Sequence, residues 1–183
     1  HVRYSTTGSS MAYNTQPLRV YFDGGNLALS HNGNLTNAAE LRSRLTRDGV
    51  VFQTTVDTEV VLSLIARSRK EKVEDRVAEA VNEIKGAFAI LIMTDKLIAV
   101  RDPYGFRPLC LGKLDGGWVV ASESCAFDLV GAEFIRDVKP GEMLVFEDDY
   151  AEPKSMMWSK EMPSKCAHCI FEYVYFARTD SVI

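Results

Sequence analysis

The spacing of the apolar residues changes near residue 85, and this change limits the chain to a combination of helices and sheet. Before that point an apolar stripe recurs with the period of an α-helix and consists of Val60, Val61, Leu64, Ile65, Val73, Val77, Ala80, Val81 and Ile84. After it, short apolar runs at 87–93, 97–100, 109–111 and 118–121 are separated by Asp, Gly and Pro. Such runs are typical of antiparallel strands. The sequence therefore predicts an α+β fold, with two or three packed helices and an antiparallel sheet system.

Turn-forming residues predict the order of the elements. A strand over residues 27–30 is expected to end in a turn at residues 31–34. A helix is expected to follow, with Asn37 as its N-cap and Glu40 completing a capping box. Further predicted features are a hairpin turn at 115–117, a pair of strands at 131–138 and 141–146 around Pro140-Gly141, and a polar linker at 148–165.

Charge and composition exclude several classes of protein. The 183 residues carry 21 Lys and Arg against 25 Asp and Glu, so the net charge of −4 does not attract nucleic acid or anionic lipid. The longest apolar run, residues 87–93, is too short to span a bilayer. The N-terminal residues lack the order of a signal peptide, and four cysteines are few for a secreted protein of this length. We therefore expect a globular cytoplasmic protein without nucleic-acid or membrane partners.

Three short polar stretches carry side chains suited to binding an amino acid. The guanidinium of Arg3 matches a carboxylate, although a surface ion pair is the simpler explanation of one arginine. Asn32-Gly33 offers a side-chain amide beside a backbone N–H, the donor pair that stabilises an oxyanion, but the same dipeptide commonly closes a tight turn. Asp57 suits a substrate ammonium and equally suits the N-cap of the helix that follows it. Each functional interpretation leaves its structural alternative open.

The stretch Cys166-Ala167-His168-Cys169 has the spacing of half a zinc site. Zinc needs about four ligands, and no second Cys or His pair with suitable spacing occurs in the sequence. A redox pair would be expected at the start of a helix, whereas residues 170–176 favour a strand by composition. The sequence therefore predicts no metal or redox site formed by this chain alone.

Five motifs, in this order and spacing, resemble the class II glutamine amidotransferases, which are N-terminal-nucleophile glutaminases. They are HVRYSTTG at residues 1–8, HNGNL at 31–35, VDTE at 56–59, RDPYGFRPL at 101–109 and ASESC at 121–125. The RDP stretch also resembles asparagine synthetases. Residues 169–178, CIFEYVYFAR, are more selective and resemble the junction into the transferase domain of the amidophosphoribosyltransferase family. The likeness covers essentially the whole chain and implies a four-layer α/β/β/α sandwich.

The resemblance implies a role for each candidate residue in binding glutamine. Arg3 would bind the α-carboxylate of glutamine, Asp57 its α-ammonium, and Thr6 would help to line the pocket. Asn32 and Gly33 would form the oxyanion hole. Because glutamine is zwitterionic, opposite charges at one end would orient its carboxamide for attack at the other. The ammonia released would serve the synthesis of phosphoribosylamine from phosphoribosyl pyrophosphate, the first step of purine biosynthesis.

The family's nucleophile is not found in the sequence. The class uses a cysteine as the first residue of the mature chain, whereas residue 1 here is His1 and none of the four cysteines is terminal. We therefore expect a fragment without its first strands, with an incomplete glutaminase domain over residues 1–163 and the start of a phosphoribosyltransferase domain over 164–183. Magnesium and phosphoribosyl pyrophosphate would bind in the transferase domain. The resemblance also implies a homo-oligomer at full length. Some members hold an iron–sulfur cluster with one ligand near Cys169, but members without the cluster look similar at this position.

Two alternatives stay open. Another class II enzyme, such as a glucosamine-phosphate or asparagine synthetase, shares the first motifs, although residues 169–178 argue against it. A non-catalytic module that binds a partner or a small amine is also compatible with the absent nucleophile.

Overall fold

The computed structural model of the chain describes residue 1 and residues 11–147, 151–159 and 166–182. Arg3 and Thr6 lie outside the described residues. The predicted domain boundary between residues 163 and 164 also lies outside them and stays a prediction. The chain divides into two compact units, which are His1–Gly86 with Ile90–Thr94, and Ala87–Ala89 with Asp95–Ile183.

The first unit combines three helices with an antiparallel hairpin. Its elements are a 3-10 turn (Ala12–Asn14), β1 (Leu18–Phe22), β2 (Gly25–Leu35), α1 (Ala38–Arg47), α2 (Thr58–Arg67), α3 (Val73–Glu83) and most of β3 (Gly86–Met93). β2 lies between β1 and β3, and Leu18 of β1 pairs with Leu29 of β2. Val60, Val61 and Ile65 of α2 are fully buried. The helices predicted from the apolar stripe are therefore confirmed, whereas β1 was not predicted.

The strand that carries Asn32-Gly33 is longer than predicted. β2 continues to Leu35, so the turn predicted at residues 31–34 is wrong. His31 and Leu35 are both buried, because they continue the inward face of the strand at its two-residue period. Gly33 has φ of +148°, a conformation that favours glycine and that the strand accommodates without turning.

The capping box predicted at the start of α1 is also wrong. Asn37 does occupy the N-cap position, but its side chain makes no capping hydrogen bond. Its amide is bonded instead to the backbone of Glu83 and Lys85, at the end of α3 and just after it. The Asn37 side chain is therefore bonded to residues far away in the sequence and not to its own helix.

The second unit contains two antiparallel groups of strands. Its elements are β4 (Leu97–Arg101), β5 (Cys110–Leu114), β6 (Gly117–Ala121), α4 (Cys125–Val130), β7 (Glu133–Asp137), β8 (Glu142–Phe146), β9 (Lys154–Met157) and a π-helical turn (Glu172–Phe176). The strand orders are β4-β8-β9 and β6-β5-β7. The hairpin predicted at residues 115–117 is confirmed, with positive φ at Asp115 and Gly116. The described residues thus form the predicted α+β fold with antiparallel sheets.

Three predictions about the second unit are wrong. β7 and β8 do not pair with each other, because β7 pairs with β5 and β8 pairs with β4, on different sheets. The predicted linker contains β9, whose backbone is paired with β8. The β-prone residues 170–176 contain a helical turn instead of a strand. Arg107 forms an ion pair with Glu172 and lies over the ring of Phe176, and a helical turn brings residues four apart onto one face.

Candidate functional site

Asp57 lies at the start of α2, and its carboxylate faces the end of β2. The side chain is 6% exposed, and Oδ2 accepts a hydrogen bond of 2.9 Å from the backbone N–H of Leu35. Asp57 makes no side-chain capping hydrogen bond to its own helix. The capping alternative is therefore wrong, because the carboxylate accepts its hydrogen bond from the strand that carries Asn32-Gly33.

A buried histidine stands beside this carboxylate. Nδ1 of His31 lies 3.6 Å from Oδ1 of Asp57 and 3.3 Å from Oγ1 of Thr58. Gln16 joins the same group, since its Nε2 donates to Thr58 Oγ1 over 3.1 Å and its Oε1 accepts from the His31 backbone over 2.7 Å. Nε2 of His31 has no hydrogen-bond partner among the residues that the structure describes. The network fixes the position of His31 at the edge of the site.

The charge state of Asp57 follows from these neighbours. Burial alone raises the pKa of a carboxylate. Here the hydrogen bond and charge of His31, with the backbone N–H of Leu35, outweigh burial and leave the pKa of Asp57 below its usual value. A carboxylate has about four lone-pair positions, and the contacts from Leu35, His31 and the backbone of Thr58 leave at least one of them. Asp57 is thus a buried anion at neutral pH with acceptor capacity left for a cationic group.

Asn32 and Gly33 precede Leu35 by three and two residues on the same strand. Both are half-buried, and Gly33 has a positive φ within the strand. Because Leu35 is bound to Asp57, the structure brings the predicted oxyanion donors and the predicted ammonium acceptor to one end of β2. Arg3 and Thr6, the other predicted members of the site, lie outside the described residues.

Three residues of this site were missed as functional candidates by sequence reasoning. His31 and Thr58 are sequence neighbours of Asn32 and Asp57, so adjacency to two candidates was the available signal. Gln16 carries no such signal, because it reaches the site only through the β1–β2 hairpin.

The RDPYGFRPL motif lies in the second unit and organises a loop. Asp102 is fully buried and accepts from the N–H groups of four residues, Phe88, Tyr104, Phe106 and Arg107. Burial raises the pKa of Asp102 in spite of those four donors. The buried guanidinium of Arg101 donates to the carbonyls of Gly105, Arg107 and Val138. The side chains of Arg101 and Asp102 are therefore used to stabilise a loop.

The described part of the chain shows a raised thiol pKa at Cys110 and no cysteine in a metal-binding cluster. Burial, followed by the charge of Asp137, raises the pKa of Cys110 to about 12, so this thiol is protonated at neutral pH. Sγ of Cys166 is directed to the carbonyl of Tyr104, at 3.4 Å. Across the described ranges, no group of three or more His, Cys, Asp or Glu side chains is placed to hold a metal ion. Cys169 alone does not make a cluster site.

The family is decided by a match over most of the chain. Residues 1–128 match the model of a family described as "Glutamine amidotransferase domain". The chain belongs to this family. The chain is also similar along its whole length to proteins named amidophosphoribosyltransferase. It is 48% identical to that of Rhizobium etli, 45% to that of Bacillus subtilis and 45% to that of Archaeoglobus fulgidus.

Solved structures show the same relationship. The chain superimposes on the glutamine phosphoribosylpyrophosphate amidotransferase of B. subtilis, determined with ADP and GMP, with a TM-score of 0.92 at 45% identity. A structure described as the allosteric regulatory enzyme of purine biosynthesis gives a TM-score of 0.93 at 45% identity. Both comparisons cover all of this chain and 39% of the other. The predicted fold class is therefore confirmed.

The chain spans 37%, 38% and 40% of the lengths of the R. etli, B. subtilis and A. fulgidus relatives. Among the described residues, no helix combines the length and apolar character needed to cross a membrane.

Proposed function

We propose that the amidotransferase domain is the glutaminase part of an amidophosphoribosyltransferase. In this proposal it hydrolyses glutamine, and the ammonia reacts with phosphoribosyl pyrophosphate in a transferase part to form phosphoribosylamine. One observation carries the proposal: a buried carboxylate, Asp57, is bonded to the end of the strand that bears Asn32-Gly33. The similarity of the whole chain to amidophosphoribosyltransferases supports this choice over other glutamine amidotransferases. Magnesium and a cytoplasmic location belong to the same proposal.

In the proposed mechanism the chain's own residues bind and orient glutamine. Asp57 receives the α-ammonium on its free lone pairs, and Arg3 binds the α-carboxylate, with Thr6 lining the pocket. Fixing both charged groups at one end presents the carboxamide carbon to the nucleophile. When the nucleophile attacks, negative charge develops on the carboxamide oxygen. Nδ2 of Asn32 and the N–H of Gly33 then donate to that oxygen, and this stabilises the tetrahedral intermediate more than the substrate.

The proposed nucleophile is an N-terminal cysteine whose own α-amine takes the thiol proton and returns it to the leaving ammonia. None of the four cysteines of this sequence is N-terminal. Cys110 is further excluded because its raised pKa, about 12, keeps the thiol protonated. The proposal therefore assigns catalysis to the full-length protein.

The test is the substitution Asp57→Asn in the full-length protein. Losing the ammonium partner is expected to weaken transition-state binding by about 2 to 4 kcal/mol, so glutamine-dependent formation of phosphoribosylamine falls about 30-fold to 1,000-fold. The same reaction supplied with ammonia is expected to continue at the wild-type rate. Asp48→Asn is the matched control, since Asp48 is an exposed carboxylate in a surface ion pair with Arg67. An equal loss of both activities in Asp57→Asn contradicts the proposal.

A non-catalytic binding module is the second candidate, because a buried carboxylate such as Asp57 suits the binding of an ammonium group with or without turnover. The two candidates differ in turnover. If the full-length protein binds glutamine but releases no glutamate from it, the binding module is correct.

A further inference from the structure

The start of β3 makes an unusually close backbone contact with the end of β2. A Cβ atom added at Gly86 would lie 2.3 Å from the carbonyl oxygen of Asn34, 3.0 Å from Cα of Leu35 and 3.1 Å from the nitrogen of Thr36. All three atoms belong to the backbone, so no side chain can move aside to make room. Gly86 also has φ of +137°, which strains any other residue. Only glycine lets the two segments approach this closely.

Hydrogen bonds fix the same two segments to each other. Asn37 Nδ2 donates to the carbonyl of Glu83 over 2.9 Å, and Asn37 Oδ1 accepts from the backbone of Lys85 over 2.8 Å. The N–H of Thr36 donates to the Lys85 carbonyl over 2.8 Å. The Asn37 side chain thus uses both ends of its amide as a bridge between the start of α1 and the segment before β3, and it contributes nothing to capping its own helix.

Residues 34–36, at the end of β2, lie between Asp57 and the start of β3. Leu35 donates to Asp57 on one side, and Gly86 with Lys85 holds Asn34 and Thr36 on the other. The oxyanion donors Asn32-Gly33 come directly before this segment. Resting on the proposed function, we infer that Asn37 and Gly86 are positioning residues, which hold the end of β2 in the register that aligns the oxyanion donors with the glutamine bound at Asp57. Neither residue needs to touch glutamine for this role.

The expected effect follows from the geometry of oxyanion stabilisation. The donors must lie at about 2.7–3.1 Å from the oxygen that becomes charged, so a shift of the strand by a fraction of that distance removes much of their effect. A misplacement of about 1 Å can cost about 100-fold in rate. Because the charge develops only in the transition state, the loss is expected in kcat, with KM for glutamine changed by less than about threefold.

The experiment separates positioning from helix capping by using serine. Serine is a preferred N-cap residue, so Asn37→Ser keeps or improves the cap of α1 while removing the two-ended bridge. In the full-length protein, Asn37→Ser is expected to lower the glutamine-dependent kcat about 10-fold to 100-fold and to leave the ammonia-dependent rate unchanged. Asn26→Ala is the control, because Asn26 is exposed near the other end of β2 and is bonded to Arg19.

Gly86→Ala tests the close approach independently. Its control is Gly49→Ala, because Gly49 also has a positive φ, +86°, but has no atom within 4 Å of an added Cβ. The two variants share the backbone strain and differ in the clash with β2. Gly86→Ala is therefore expected to lose more glutamine-dependent kcat than Gly49→Ala. If Gly86→Ala loses the ammonia-dependent reaction as well, through misfolding, Asn37→Ser decides the question.

The outcomes distinguish this inference from the proposed function. Wild-type kcat for glutamine in Asn37→Ser, together with a large loss in Asp57→Asn, overturns the positioning role and leaves the proposed function intact. Wild-type activity in both variants overturns the proposed function itself. A loss in Asn37→Ser that appears in KM alone also contradicts the inference.

Discussion

The imidazole of His31 stands 3.6 Å from the carboxylate of Asp57, inside the protein, and opposes the effect of burial on the pKa of that carboxylate. Because the pKa of Asp57 lies below its ordinary value, the carboxylate is ionised throughout the neutral range and gains a proton only at acid pH. Its contribution to stability is therefore present above the ordinary Asp pKa of about 4 and is lost as the pH falls through the lowered value.

Replacing His31 is expected to shift that titration. In His31→Phe the pKa of Asp57 rises, since the hydrogen bond and charge that oppose burial are gone. The acid limb of the pH profile of kcat/KM for glutamine is expected to move to higher pH. The profile of the ammonia-dependent reaction serves as the control and is expected to stay in place. An acid limb that does not move shows that His31 does not tune Asp57.

Single residues of the site were predictable only in part. Asn32, Gly33 and Asp57 stand in motifs that can be identified without a structure. The bond from Leu35 to Asp57 joins residues 22 positions apart, so no local pattern reveals it. Local sequence favoured a capping role for Asp57. An aspartate just before a helix can either cap that helix or bind a group elsewhere, and the sequence does not distinguish the two.

The length of β2 shows how one element depends on its neighbours. The residues His31 to Asn34 favour a turn locally, and that preference led to the wrong end of the strand. Leu35 is held by Asp57, and Thr36 by Lys85, so contacts from α2 and from the segment before β3 extend the strand. Sequence patterns predicted the helices better than this strand, because helix signals repeat over three turns and strand pairing is non-local.

The loop after β4 is expected to depend on Asp102. Its two oxygens each accept two backbone N–H groups, at 2.9 to 3.3 Å. Asp102→Asn places an NH2 group against two of those donors and leaves them buried without an acceptor. We expect a loss of stability of about 2 to 4 kcal/mol, measured by thermal unfolding and by faster hydrogen exchange at Tyr104 and Phe106.

The matched control for that loop is Asp115→Asn. Asp115 is exposed in the β5–β6 turn at φ of 46°, a conformation that asparagine tolerates as well as aspartate does. Equal unfolding temperatures for the two variants would show that the four hydrogen bonds to Asp102 contribute little.

At the scale of the whole molecule, the family and the fold class were predictable from the order of motifs along the chain. The partners of β7 and β8 were not predictable. Pro140-Gly141 connects two strands that belong to different sheets, and a turn signal does not show whether the strands on either side of it pair with each other. The helical turn at Glu172–Phe176 was not predictable either, since its β-prone residues are held by Arg107, 65 positions from Glu172. Composition describes local preference, and these contacts are long-range.

We propose that one end of β2, together with Asp57 and Arg3, surrounds a single glutamine. A crystal structure of the full-length protein with a covalently bound glutamine analogue tests this directly. We expect the α-ammonium to be in hydrogen-bond contact with Asp57 and the α-carboxylate to be bound by Arg3. The former carboxamide oxygen is expected about 3 Å from Asn32 Nδ2 and the Gly33 N–H. An analogue bound with its ammonium away from Asp57, or its oxygen away from Asn32-Gly33, would contradict it.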